Sequence, residues 1–168
     1  KLTVDPNITV GPVRSGRPLH LPRLNFAGDN TRMIARETMF DLMLGACPSF
    51  QENWRQFVSD WIDETETAQD GLPYYIALGD LAAHVTKRMK ARDTSELAAV
   101  FLVVERWHVE GDHYVREAAT IGFLEALQGC ASKKQKKAIL ESWLLPESKR
   151  WWTKLNEFWE GDQNALRE

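Results

Sequence analysis

From about residue 30 onward, apolar residues recur every three or four positions, and most such runs close on a glycine or a proline. No other feature constrains the fold as much. A period of 3.6 builds rods with one apolar face, and no period-2 run of strand length appears after Met33. The chain is therefore expected to be all-α: a single domain of about seven antiparallel helices with short connections, a HEAT-like or α-solenoid-like helical bundle.

The punctuation gives each rod its ends. Asn30 or Thr31 caps a first helix running to Leu44, with Gly45 as its stop. Pro48 and Ser49 open a second, where Ser49 and Glu52 form a capping box. Its apolar positions Phe50, Trp54, Phe57, Val58, Trp61 and Ile62 fall within an arc of about 140°. Pro73 starts a third helix. Asp93 with Glu96 makes a second box, before a helix from Leu97 to Trp107 that Gly111 ends. Asp112 caps the next, which stops at Gly129. A third box, Ser132 with Gln135, precedes a helix broken by Pro146, and the last rod ends at Gly161.

Residues 1–32 differ in kind. Four of the seven prolines stand there, with a net charge of +3, whereas residues 33–168 carry −6. That stretch reads as an extended, proline-containing arm, an extension to which no function is assigned, and residues 33–168 form the helical domain. At 43% hydrophobic and 27% charged residues the composition is that of a globular domain. No apolar run is long enough to cross a bilayer, and nothing has the form of a secretion signal. Two cysteines far apart, Cys47 and Cys130, make no disulfide framework, so the expected location is the cytoplasm.

The segment ERWHVEGDHYVRE (105–117) puts His108 and His113 with Glu110 and Asp112 around one glycine. A zinc site needs three or four ligands converging at about 2 Å, commonly two histidines four apart on one helical turn. Here the histidines are five apart across a helix end. The plainer reading is a helix–helix corner: Gly111 supplies a positive φ and Asp112 caps the following helix. No glycine-rich phosphate loop, HExxH, GxSxG or CxxC is present, and no cofactor or metal is expected. A nucleophile pair of Cys47 or Cys130 with His84 is the thinnest option, because buried, inert cysteine is commoner.

Charge placement is more informative. Between Arg55 and Lys87 there is no Lys or Arg, while Asp60, Asp63, Glu64, Glu66, Asp70 and Asp80 are acidic. Asp60 and Asp63 lie opposite the apolar stripe of their helix and near its C-terminus, where the macrodipole opposes negative charge. Neighbours at i,i+3 and i,i+4 add repulsion of a few tenths of a kcal/mol each, about 0.3. Lys133, Lys134, Lys136 and Lys137 mirror this at a helix N-terminus. The two patches either cancel one another, or are solvated and screened, or the acidic one docks a basic partner. Asp60, Asp63, Glu64, Glu66 and Asp70 are the candidate partner-binding residues. Of the seven tryptophans, Trp54, Trp61 and Trp143 belong to apolar stripes, whereas Trp151, Trp152 and Trp159 either seal the last helix or form a sticky patch.

GDHYVREAATIGFLEAL (111–127) resembles the second-helix pattern of HEAT-type repeats at Asp112, Val115, Arg116, Ala119 and Leu127; the likeness covers roughly 94–128, with no second copy at a 40-residue period. YIALGDLAAHV (75–85), AVFLVVERWHVEGD (99–112) and IGFLEALQ (121–128) give residues 33–145 a resemblance to small bacterial all-helical domains of unassigned function. Such domains look like those encoded beside polymorphic toxin genes. The resemblance implies an immunity protein that binds a cognate toxin. The first expectation is thus a non-enzymatic protein-binding module covering a basic toxin face. The second is a nucleic-acid-associated protein using Lys133–Lys137 with Lys149, Arg150 and Lys154, which the net −6 of the domain disfavours. The third is a small metal-dependent hydrolase around His84, His108 and His113.

Overall fold

A computed structural model describes residues 33–65, 71–130 and 134–166, with the side chains of 62–65 and 134–136 outside that description. The described part is all-helical. The helices are α1 (Met39–Ala46), α2 (Gln51–Thr65), α3 (Tyr74–Lys90), α4 (Leu97–Glu110), α5 (His113–Glu117), α6 (Glu125–Cys130), α7 (Lys134–Glu141) and α8 (Pro146–Trp159). A π-helical turn, Ala118–Leu124, joins α5 to α6, so these three segments run as one rod.

Helix α4 is the axis of the core. Leu97, Val100, Phe101, Val103, Val104, Trp107 and His108 are all buried, which leaves little of its circumference for water. It packs against α1, α5 and α8, while α3 covers the π turn and α6. Trp107 is fully buried, and its indole Nε1–H donates to the Met39 carbonyl at 3.2 Å, as a buried polar tip requires. Trp54, Trp61 and Trp143 pack against the core as their stripes predict. Trp151 and Trp152 seal the last helix, whereas Trp159 is 61% exposed.

Several local expectations are corrected. The helix that contains Leu44 begins at Met39, with Met33–Ala35 not helical, and the expected caps Asn30 and Thr31 lie outside the described residues. Ile34 is instead buried in the corner after α4. Its N–H donates to Glu110 O (2.9 Å) and its carbonyl accepts from Asp112 N–H (2.9 Å). Those corner groups have no intrahelical partner, and Ile34 supplies both. A 3₁₀ turn, Arg36–Thr38, then leads into α1, which runs past Gly45. Helix α6 likewise runs through Gly129.

Gly111 is a glycine for another reason than the one expected. Its φ of −70° and ψ of 152° suit any residue. A Cβ there would overlap the Trp107 carbonyl oxygen and stand 2.7 Å from Val115 Cγ1. Close approach, not positive φ, excludes a side chain. Among the described residues the left-handed glycines are Gly71 (φ 69°), before α3, and Gly161 (φ 115°), after α8. Asp112 does cap α5, accepting from Val115 N–H at 2.8 Å.

Neither capping box inside the described part forms. The first residues of α2 and α4 have no Ser49–Glu52 or Asp93–Glu96 exchange. Asp93 turns to Ser95, whose N–H it accepts at 3.2 Å. Ser49 and Glu96 find each other. The Ser132–Gln135 box lies outside the described residues.

Candidate functional site

Ser49 stands in the 3₁₀ turn that opens α2, Glu96 at the N-terminus of α4, and His84 on α3. Ser49 Oγ donates to Glu96 Oε2 at 2.6 Å, and Ser49 N–H reaches Oε1 at 3.3 Å. One carboxylate thus caps a helix start from another element. His84 Nε2 lies 2.8 Å from the same hydroxyl. Since that hydroxyl's one proton points to Glu96, Nε2 carries the hydrogen of this contact and donates it. A serine nucleophile needs the opposite, an imidazole that accepts the hydroxyl proton. Cys47 Sγ also donates to Glu96 Oε2, at 3.2 Å. Burial above all, and the neighbouring carboxylate, push its pKa up to about 11, so the thiol stays protonated and unreactive.

A parallel arrangement occurs at α8. Glu105, nine residues further along α4, accepts from Glu147 N–H (2.9 Å), Ser148 N–H (2.8 Å) and Ser148 Oγ–H (2.7 Å). Nine residues at about 100° each put Glu96 and Glu105 on opposite sides of the helix. His108 lies beside Ser148 and is 4% exposed. Its Nδ1 is 2.9 Å from the Val104 carbonyl, its Nε2 3.2 Å from Thr120 Oγ1, and its ring stacks on Trp151 at 6.5 Å. Burial lowers its pKa, which favours neutral imidazole with the proton on Nδ1.

The three histidines therefore do not converge. His84 belongs to the first network and His108 to the second. His113 stands at the surface, its side chain 90% exposed and 3.8 Å from Glu117. Among the described residues no group of three His, Cys, Asp or Glu is placed to hold a metal ion.

Of the expected partner-binding residues, Asp60 is exposed on α2, its Oδ1 accepting from Gln56 Nε2 at 2.6 Å. Asp80 is exposed on α3. Neither makes an ion pair among the described residues. Asp63 and Glu64 have side chains outside the described part, as do Glu66 and Asp70 altogether. On the basic side, Lys133 lies outside it too, with the side chains of Lys134 and Lys136. Lys149 pairs with Glu141 (3.4 Å) and Arg150 with Glu147 (2.7 Å), while Lys154 Nζ lies 4.4 Å from the centre of the Trp151 ring.

One feature had no sequence signal. A cleft of about 350 Å³ opens over the π turn, floored by Thr120 and Ile121, walled by Trp151 and Leu166, and rimmed by His113, Arg116 and Glu117. The floor is wide because the rod is underwound there, with more residues in each turn. Gly122 lets α3 pack closely on this turn, since a Cβ at that position would come within 2.6 Å of Leu78 Cδ1 on α3.

Residues 40–160 match the family model described as Domain of unknown function (DUF7674), and the chain belongs to that family. No curated protein and no solved structure matches the chain. Among the described residues no helix is long and apolar enough to cross a membrane.

Proposed function

We propose that this DUF7674 domain is a non-enzymatic protein-binding module of the cytoplasm, and concretely an immunity protein that neutralises a cognate toxin by covering its basic functional face. The observation that carries the reading is the run from Gln56 to Thr86, which holds six carboxylates and no lysine or arginine. Asp60 and Asp80, the two with described side chains, are exposed and make no ion pair among the described residues. Carboxylates without a neutralising cation on a folded surface retain their potential for an incoming one, and complementary potential speeds encounter and sets specificity. Ile76, 47% exposed and four residues before Asp80 on the same face of α3, adds an apolar anchor beside the charge.

The networks around Ser49 and Ser148 fit this reading, because both use their serine and histidine to join helices. The test is affinity capture from source-organism lysate with wild type beside a variant in which Asp60, Asp63, Glu64 and Glu66 are changed to lysine. A single basic partner, lost in the variant and bound more weakly as salt rises, is the expected result. A partner retained equally by both proteins overturns the acidic docking face.

A further inference from the structure

We propose that the cleft over the π turn is a binding site for a small monocarboxylic acid with an apolar ring or chain, a ligand unrelated to the acidic face of α2 and α3. The wall is a flat indole already held in place. Trp151 Nε1–H donates to Glu147 Oε1 at 3.1 Å, and His108 stacks parallel to the ring within 15°. An aromatic surface fixed in this way loses no side-chain freedom when it is covered. Ile121 and Leu166 continue the apolar lining.

Charge chooses the polar end of the ligand. Arg116 on the rim makes no ion pair among the described residues, and its planar guanidinium is suited to a bidentate carboxylate. The rim carboxylate does not neutralise it. Glu117 accepts from the Tyr75 hydroxyl at 2.9 Å and faces His113 Nε2 at 3.8 Å. Thr120, on the floor, is also committed, since its hydroxyl lies between His108 Nε2 and the Arg116 carbonyl, at 3.2 and 3.1 Å. A cleft whose Arg116 is unpaired among the described residues, and whose walls are otherwise apolar or committed, selects a ligand with one negative charge and an apolar body. The volume is near the lower end for ligand pockets, about 300–1,000 Å³, so the ligand is small.

The test uses 3-phenylpropionate as probe and the Trp151 indole N–H signal in a ¹H–¹⁵N spectrum as readout, assigned with a Trp151→Phe variant. Saturable movement of that signal is expected, with binding at least tenfold weaker for 3-phenylpropanamide and for Arg116→Gln. The amide comparison is made on the wild-type protein, so it stands even if a variant misfolds. Ile121→Trp, which fills the floor, is expected to abolish the response. No saturable shift, or equal binding of acid and amide, overturns the site. A short peptide ending in phenylalanine with a free carboxylate, if bound more than tenfold tighter than the acid, overturns the small-molecule assignment and makes the occupant a chain terminus.

Discussion

The two serine–glutamate–histidine networks differ less in chemistry than in how dry they are. In each, a glutamate of α4 accepts from a serine at the start of another helix, and a histidine stands beside that serine. Around Ser148 the histidine is 4% exposed and both its ring nitrogens have partners, and the Glu105 charge faces the first N–H groups of α8. Around Ser49 the network is only part-buried, and Arg88 stands 3.6 Å from Glu96. A carboxylate at a helix start is stabilised by the dipole and by otherwise unpaired N–H groups. The same device should therefore contribute more where water cannot replace it.

The strongest way to break that comparison is to remove each carboxylate. Glu105→Ala should cost about 3 kcal/mol in a denaturant titration, because it strands two backbone donors and a hydroxyl. Glu96→Ala should cost about 1 kcal/mol, since water can reach Ser49. A reversed order would refute the link between dryness and worth.

Acid sharpens it next. Burial lowers the pKa of His108, and burial with the nearby Arg88 cation lowers that of His84. A depressed histidine pKa means the unfolded chain binds the proton first. Stability is then complete above the ordinary value of 6.5 and is lost as pH falls from there toward the folded value. Measured between about pH 5 and 7, the slope should approach 1.4 kcal/mol per unit per histidine at most. His108→Gln should flatten it more than His84→Gln. The carboxylates act lower. Burial alone would raise Glu105, but the Ser148 hydroxyl and the N–H groups of Ser148 and Glu147 outweigh it, so its pKa is lowered. Its contribution is present above the usual 4.5 and lost as pH falls below that value.

The smallest effect concerns reactivity. Cys47, buried and raised to about 11, should alkylate with iodoacetamide at pH 8 far more slowly than the half-buried Cys130. Mass mapping of the labelled peptides checks this, and Glu96→Gln should narrow the gap.

Periodicity made the helical class readable, and local punctuation placed Pro73, Asp112, Pro146 and Gly161 at real helix boundaries. The capping boxes failed although their residue types were right. A serine and a glutamate near helix starts are the proper chemistry for capping, and the sequence cannot say that Ser49 will take Glu96, 47 residues away, in preference to Glu52. Ile34 was hidden for the same reason, since its partners lie beyond residue 109. Of the expected docking face, only Asp60 can be placed. The cleft was invisible because Arg116, Ile121, Trp151 and Leu166 share no motif and meet only through the fold.

The π turn also fixes the phase of everything after it. A π turn holds about one residue more than an α turn, so a deletion within Ala118–Leu124 is taken up locally, whereas one in α5 that leaves the π turn in place would turn α6 by about 100° and draw it back about 1.5 Å. Leu127 would leave the core, and Gln128 would lose its 3.1 Å bond to Asn156 on α8. Here the number of residues is as constrained as their identity, so a one-residue deletion in α5 should be tolerated less well than one within Ala118–Leu124.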